Sequence, residues 1–166
     1  MATLGKSPDV RRRAWFLLGV GYTYTFRWEE AERAFVRYFS DRRDPRWEKV
    51  RALLERGKRL KLKSPRKARL LSTFLPGLGQ VYVGDWGAAL NALALNGLAS
   101  YLWGKPALKG RYADSAFWFL TLFWRYYTGN RFRAEKLAER RNLEIRQMLA
   151  EKVLDALPRG EHRRGK

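Results

Sequence analysis

Few side chains in this sequence could support acid–base, nucleophilic or metal-dependent chemistry. The chain has no cysteine and one histidine, His162. These counts exclude thiolate metal sites, a cysteine nucleophile and a histidine-rich metal centre. In the central part, Asp85, Asp114 and Gln80 could meet, but no acid and base pair has a spacing diagnostic of catalysis. We therefore expect a protein that is not an enzyme and that has no catalytic residue, cofactor or metal site.

A stretch rich in proline and glycine is the most distinctive local feature, and it reads Pro76, Gly77, Leu78, Gly79, Gln80. It is not a phosphate-binding loop, because no Lys-Ser or Lys-Thr pair follows the glycines. Proline and glycine weaken a helix and free backbone carbonyl groups, which the amide of Gln80 could satisfy. Two interpretations are open. The stretch is either a helix break that forms a small polar site or partner contact, or a tight turn between two interfacial helices.

The spacing of apolar residues predicts an all-α fold. Asp9 is the predicted N-cap of the first helix, and Asp44 is the predicted cap of the third. A further element starts at Ser64-Pro65, and the other predicted helices cover residues 10–25, 28–40, 45–62, 86–104, 113–128 and 131–157. The last of these is amphipathic and mixes both signs of charge on its polar face.

The first two predicted helices resemble a single tetratricopeptide repeat over residues 12–45. The matching positions are Trp15, Leu18, Gly19, Tyr22, Ala31 and Phe35. Gly19 and Ala31 would let the two helices approach closely, and an ordinary amphipathic hairpin is the alternative. A lone repeat needs a neighbour to cover its apolar face, either the third helix or a partner protein. The resemblance implies protein binding, with Trp15, Leu18, Tyr22, Phe35 and Tyr38 as the candidate partner-binding residues.

The centre of the chain is almost uncharged, since residues 70–124 carry a net charge of +1 out of a total of +19. Trp86 to Gly104 has no charge over 19 residues, which as a helix is about 28 Å long and close to the hydrocarbon thickness of about 30 Å. A stripe typical of close helix packing in membranes consists of Ala88, Ala92, Asn96 and Ser100. We expect this segment to enter a membrane; a buried hairpin in a soluble protein is the alternative. The apolar segments 70–84 and 113–128 are shorter, so either two or three crossings are open.

A run of cations without an acidic residue precedes the uncharged centre. Such clusters interact with anionic lipid headgroups, and the candidate residues are Lys58, Arg59, Lys61, Lys63, Arg66, Lys67 and Arg69. The positive-inside rule then predicts that the N-terminal module lies on the cytoplasmic side.

The central motif resembles that of a group of bacterial membrane proteins. The shared features are Lys63-Ser64-Pro65, Leu71-Ser72, the run from Leu75 to Gly84 with its Pro-Gly-x-Gly-Gln-x-Tyr-x-Gly pattern, and Tyr127-Thr128-Gly129-Asn130. Part of the motif is also similar to the two-helix transmembrane hairpin domain. The resemblance implies a location in the bacterial inner (cytoplasmic) membrane and no particular reaction. Residues expected in membrane helix packing are Pro76, Gly77, Gly79 and Gln80, together with the stripe on 86–104.

Together these features predict four regions. A tetratricopeptide-like hairpin with a third helix covers 9–63, and a membrane-embedded region covers 64–130 with a short transmembrane hairpin and a third, aromatic helix. An amphipathic C-terminal helix covers 131–157, and a basic tail covers 158–166. The expected function is that of a non-catalytic integral membrane accessory or scaffold protein, which binds a protein partner in a larger membrane complex and contacts anionic lipids. The alternative is a soluble basic protein that binds RNA or the ribosome through its charge and aromatic residues.

Overall fold

A computed structural model describes residues 7–40 and 44–158. Within these ranges the chain is helical and has no strand, which confirms the predicted all-α class. The helices are α1 (Pro8–Tyr24), α2 (Trp28–Phe39), α3 (Arg46–Lys58), α4 (Pro65–Phe74), α5 (Leu78–Val83), α6 (Trp86–Leu108), α7 (Tyr112–Trp118) and α8 (Trp124–Ala156), with a π-helical turn at Phe119–Phe123. His162 and all of the predicted basic tail except Pro158 lie outside the described residues.

Side-chain caps fix several helix starts. Ser7 caps α1 by accepting a hydrogen bond from the backbone N of Val10 at 3.4 Å. Asp9 lies in the first turn and pairs with Arg12 instead, so its prediction as the N-cap is wrong. The helix begins earlier because Pro8 has a φ angle suited to the first helical position. Helix α3 begins at Arg46, one residue later than predicted, with Pro45 at the N-cap position, and Asp44 accepts from the backbone N of Arg46 at 3.0 Å.

Two later helices also start at capped positions. Ser64 accepts from the backbone N of Lys67 at 3.3 Å and precedes Pro65, as the sequence predicts for α4. Asp85 accepts from the backbone N of Ala88 at 2.9 Å, so α6 begins at Trp86 as predicted. The helix then continues four residues past the predicted end at Gly104, through Pro106 in its last turn.

The chain divides into two units. Unit 1 consists of Met1–Lys61 and Glu144–Lys166, and unit 2 of Leu62–Leu143. Helix α8 therefore contributes its first part to unit 2 and its last part to unit 1. The sequence predicts separate helices over 113–128 and 131–157, with Gly129 and Asn130 between them. No break occurs there, since both residues lie inside α8.

Unit 1 has a core of large side chains. Helices α1 and α2 form a hairpin, and α3 packs against α2. The fully buried residues include Phe35, Leu54 and Val153, the last of them from α8. The chain itself thus supplies two neighbours for the hairpin, α3 as the sequence predicted and the end of α8, which the sequence did not indicate.

Gly19 and Gly57 allow the helices of unit 1 to approach one another. A Cβ atom at Gly19 would lie 2.6 Å from Cε1 of Phe35, and one at Gly57 would lie 2.5 Å from Cδ2 of Trp28. Each aromatic ring therefore packs directly on the backbone of the next helix. The predicted role of Gly19 in close helix approach agrees with this contact.

Unit 2 has a core of small side chains. Its buried apolar cluster consists of Ala68, Val83, Ala134 and Ala138, with Tyr82 and Leu137 packed against it. At the other end of the unit, the Trp103 ring of α6 makes edge contacts with Phe119 and Phe123 at 5.6 and 5.8 Å between ring centroids.

Among the described residues, no helix combines the length and the mean hydropathy that crossing a bilayer requires. The predicted crossing of the membrane by 86–104 is therefore not supported by the fold. Asn91 and Asn96, both in α6, lower the hydropathy of this otherwise apolar helix.

Candidate functional site

The proline–glycine stretch forms a tight turn between α4 and α5. Helix α4 ends at Phe74, and Gly77 adopts a left-handed φ of 103° before α5 begins at Leu78. A side chain at Gly77 would be strained by this φ and would also meet the carbonyl oxygen of Ala89 at 2.8 Å. The turn thus lies directly against the backbone of α6.

The same turn places a buried polar cluster inside unit 2, formed by Ser72, Gln80 and Asn130. The Ser72 hydroxyl donates to Oε1 of Gln80 at 3.1 Å and accepts from the backbone N of Gly79 at 3.1 Å. The Nε2 of Gln80 donates to Oδ1 of Asn130 at 2.6 Å. Gln80 and Ser72 are fully buried, and Asn130 is nearly so. One amide therefore joins helices α4, α5 and α8.

Gly79 allows this cluster to form. A Cβ atom at Gly79 would lie 2.1 Å from the carbonyl oxygen of Ala68, 2.4 Å from Oγ of Ser72 and 2.8 Å from Cβ of Ala134. Since the nearest atom belongs to the backbone, no rotamer change could relieve the overlap. The stretch is therefore a tight turn, and the same turn buries a polar cluster; a partner contact at this turn and its position at a membrane interface stay predictions.

Further hydrogen bonds hold the motif residues in place. The Tyr82 hydroxyl accepts from the backbone N of Ser64 at 3.1 Å, and the Tyr127 hydroxyl donates to the carbonyl oxygen of Thr73 at 2.7 Å. Asn142 accepts from the backbone N of Lys63 at 2.8 Å and donates to its carbonyl oxygen at 2.7 Å. Asn142 was not among the predicted site residues, because its partner is a backbone group far away in sequence.

The predicted stripe on α6 lies on a covered face of the helix. Ala92 and Asn96 are buried, and Ala88 and Ser100 are half-buried. Asn96 donates to the carbonyl oxygen of Ala92 at 2.8 Å, within its own helix. Asn91, which the sequence predicted to face another helix, is exposed instead.

Unit 2 exposes many large apolar side chains. Trp86, Leu90 and Phe74, for example, are 65%, 66% and 76% exposed. We call those that lie between residues 70 and 126 the apolar surface of unit 2, and they are Leu70, Phe74, Leu75, Leu78, Trp86, Leu90, Leu93, Leu98, Tyr101, Leu108, Tyr112, Phe117, Leu120, Trp124 and Tyr126. Monomeric soluble proteins rarely expose so much large apolar area, and such surfaces mark protein or membrane contacts.

Hydroxyl groups on these helices are bonded to the backbone of their own helix. Ser100, Thr121 and Thr128 donate to the carbonyl oxygens of Asn96, Phe117 and Trp124 at 2.7, 2.6 and 2.7 Å. Thr73 does the same with Arg69 at 3.1 Å. A hydroxyl bonded in this way needs no water, so it is compatible with an apolar medium.

The predicted partner-binding residues of unit 1 differ in exposure. Phe35 and Tyr38 lie in the core, so neither can contact a partner directly. Trp15 and Tyr22 are half-buried, and each ring has a guanidinium over it, Arg37 at 4.3 Å and Arg27 at 4.9 Å. Leu18 is exposed.

Leu18 belongs to an apolar stripe that runs along the outside of α1. The exposed members share one helical face at spacings of three and four residues, and they are Val10, Ala14, Leu17, Leu18, Gly21 and Tyr24. We call this stripe the outer face of α1. The sequence prediction missed most of it, because it assigned the repeat positions of α1 rather than the positions between them.

The predicted lipid-binding cations are in several environments. Lys58 pairs with Glu32 and with Glu55 in unit 1. Its hydrogen bonds to the two carboxylates raise the pKa of Lys58, and its hydrogen bond to Glu55 lowers the pKa of Glu55. In unit 2, Arg69 approaches Glu135 at 3.4 Å and Lys63 lies over the Tyr82 ring at 4.8 Å. The remaining ones, Arg59, Lys61, Arg66 and Lys67, are exposed.

Across residues 7–40 and 44–158, no group of three or more histidine, aspartate or glutamate side chains could hold a metal ion. Comparisons with protein-family models, curated proteins and solved structures gave no match. The interpretation of function therefore depends on the arrangement of the residues themselves.

Proposed function

We propose that this protein is a non-catalytic accessory protein of a membrane complex, in which unit 2 inserts into the lipid bilayer and unit 1 binds a protein partner. The observation that carries the proposal is the apolar surface of unit 2, which surrounds a core of small and polar side chains. The basic residues before α4 and the motif resemblance favour the inner membrane of a bacterium, with unit 1 on the cytoplasmic side.

Three features favour lipid as the main contact of this surface. First, helix hydroxyls bond to their own backbone, and the polar amides Gln80 and Asn130 bond to each other. Second, aromatic side chains mark the ends of α6, with Trp86 at its start and Tyr101 and Trp103 near its end, as at membrane interfaces. Third, the charged groups next to α6 lie beyond its middle, since Asp85 caps its start and Arg111, which bonds Asp114 at 2.6 Å, follows its end. The proposal requires insertion of these helices, not a complete crossing.

The outer face of α1 is the proposed partner site. Apolar side chains on one exposed helical face are typical of a helix that packs against another helix. The opposite face of α1 already packs in the core through Phe16 and Gly19. A partner helix could therefore add to the hairpin from outside, as neighbouring units add to one another in helical repeats.

Flotation with phosphatidylcholine vesicles tests the membrane part. The full chain is mixed with vesicles, washed with high salt and then with carbonate, and floated on a density gradient. We expect the protein to stay with the vesicles through both washes, because apolar contact does not depend on ionic strength.

A second candidate, RNA or ribosome binding, is favoured by the net charge of +19. It predicts the opposite behaviour, because phosphate contacts weaken steeply as salt rises. Release from vesicles in high salt, together with salt-sensitive sedimentation with ribosomes, would contradict the membrane proposal.

Site-specific photocrosslinking in cells tests the partner part. A benzophenone side chain at Leu18 or Tyr24 should give one discrete protein adduct, since both positions lie on the outer face of α1. The same group at Lys49, an exposed position of α3, is the matched control and should not give that adduct. Equal adducts at all three positions, or none at any, would contradict partner binding by this face.

A further inference from the structure

A basic groove lies along one face of α8, within unit 2. Its volume is about 340 Å³, and its lining residues are Gly129, Phe132, Arg133, Lys136, Leu137 and Arg140. These positions are three or four residues apart, so they lie on a single helical face. We call this feature the α8 groove.

The α8 groove combines positive charge with apolar surface. Three of its lining residues are cations, and none is acidic. Glu135, the nearest acid in sequence to Lys136, is directed to Arg69 at 3.4 Å and does not line the groove. Phe132 is half-exposed, with the guanidinium of Arg69 5.0 Å from its ring centroid.

Gly129 leaves one end of the groove open. No atom lies within 4 Å of the place where its Cβ would be, so packing does not require glycine there. Glycine inside a helix is otherwise unfavourable. A larger side chain at this position would fill part of the groove without disturbing the helix.

We propose that the α8 groove binds the phosphate of an anionic phospholipid, with Arg133 and Lys136 contacting the phosphate and Phe132 and Leu137 contacting the apolar part of the lipid. This inference rests on the proposed insertion of unit 2. The groove follows Trp124 and Tyr126 by about two turns of α8, or about 10 Å along the axis. Aromatic residues followed by cations is the order expected where a helix leaves the hydrocarbon region. An acidic protein segment would satisfy the cations but would leave the exposed part of the Phe132 ring without an apolar contact.

The test compares two kinds of vesicle, phosphatidylcholine alone and phosphatidylcholine mixed with phosphatidylglycerol. The full chain should bind both, because its apolar surface does not require a charged lipid, and should bind the anionic vesicles more tightly. The variant Arg133→Gln/Lys136→Gln should lose about tenfold or more of this preference, since each cation near an anionic surface contributes about 1 kcal/mol. Its affinity for neutral vesicles should not change.

Two further variants separate a specific groove from general charge. Lys49→Gln/Lys152→Gln removes the same charge from exposed positions of unit 1 and should keep most of the preference. Gly129→Leu keeps every cation but fills the groove, and it should reduce the preference. Equal losses in the two charge variants, together with an unchanged preference in Gly129→Leu, would overturn the proposal.

Two other outcomes are also decisive. If the full chain binds inorganic phosphate through Arg133 and Lys136 but shows no preference for anionic vesicles, the groove is a site for free phosphate and the lipid proposal fails. If the full chain binds anionic vesicles but not neutral ones, the proposed insertion of unit 2 is wrong. The headgroup proposal is then decided by whether Arg133→Gln/Lys136→Gln weakens binding to the anionic vesicles.

Discussion

The two units of this protein bury opposite kinds of side chain. Unit 1 has Phe35, Leu54 and Val153 at the centre of its core and carries ion pairs such as Lys58 with Glu32 outside. Unit 2 buries alanines and the polar residues Ser72 and Gln80, while Phe74, Trp86, Leu90 and similar residues face outward. Unit 1 buries large apolar side chains, as proteins in water do, whereas unit 2 buries small and polar side chains and exposes many large apolar ones.

This difference indicates what stabilises each unit. The hydrophobic effect stabilises unit 1, because large apolar side chains leave water when it folds. Little of that contribution is available to the small core of unit 2. Close backbone contact at Gly79 and buried hydrogen bonds are the interactions that remain, and these are the interactions that dominate between helices in lipid. The predictions below test whether the two units respond differently to the same kinds of change.

The largest effect is expected for Phe35→Ala. This substitution empties a fully buried site in unit 1 and should destabilise that unit by about 3–5 kcal/mol. Hydrogen exchange measured on peptides from each unit should show lost protection in α1 to α3, with α4 to α7 unchanged. Val36→Ala is the control, because Val36 is exposed on the same helix. Equal loss of protection in both units would contradict independent cores.

A smaller but still large effect is expected for Gly79→Ala. The added methyl group would overlap the carbonyl oxygen of Ala68, so unit 2 should be destabilised by about 3 kcal/mol. Thermal unfolding in detergent and exchange at α4 and α5 would measure it. Gly97→Ala is the matched control; no atom lies within 4 Å of its added Cβ, and it should stabilise α6 by up to about 1 kcal/mol. If both variants behave alike, close backbone contact is not what holds unit 2.

An intermediate effect is expected for Gln80→Met, which keeps the size of the side chain and removes its hydrogen bonds. Ser72 loses the acceptor of its hydroxyl, Asn130 loses the donor to its Oδ1, and unit 2 should lose about 1–3 kcal/mol. The double variant Gln80→Met/Asn130→Leu should cost less than the sum of the two single changes, because it removes both ends of one bond. Additive costs, measured by detergent unfolding, would show that the bond between Gln80 and Asn130 contributes nothing.

The smallest effect concerns pH and unit 1. Hydrogen bonds from Arg27 and Lys58 lower the pKa values of Glu30 and Glu55 below the ordinary 4.5. These two groups therefore add stability above pH 4.5, and this contribution is lost as the pH falls through their folded-state pKa values. The raised pKa of Lys58 has the reverse sign: its contribution is complete below pH 10.5 and is lost as the pH rises beyond that value.

The pH effect should be slight, because these pairs are close to solvent and solvent screens them. Unfolding midpoints of unit 1 measured between neutral and acid pH should fall, and Glu55→Gln should reduce the fall. A midpoint that rises on acidification would contradict the assigned directions.

Much of the local structure could be predicted from sequence, because its causes are local. The apolar spacing of α2, the Ser64-Pro65 pair and the uncharged stretch from Trp86 mark helix starts correctly. The small residue Gly19 correctly predicted a close approach of α1 and α2, where the Phe35 ring packs on its backbone. The functional meaning of the tetratricopeptide-like positions stays a prediction.

The remaining features depend on contacts that spacing does not reveal. The sequence predicts separate helices over 113–128 and 131–157, yet α8 runs through Gly129 and Asn130, and the Asn130 side chain bonds Gln80 fifty residues away in sequence. The end of α8 looked like a separate amphipathic helix, but its Val153 lies in the core of unit 1. The outer face of α1 and the α8 groove could not be predicted from spacing, because only the folded structure shows which helix faces no neighbouring helix covers.

Tryptophan quenching by brominated phospholipids tests the central claim most directly, because unit 1 contains Trp15, Trp28 and Trp47 and unit 2 contains Trp86, Trp103, Trp118 and Trp124. With brominated phosphatidylcholine vesicles, the full chain should be quenched, and Trp86→Phe/Trp124→Phe should lose much of that quenching. Trp47→Phe should lose almost none. An absence of quenching in the full chain, or an equal loss in the two variants, would contradict insertion of unit 2 into lipid.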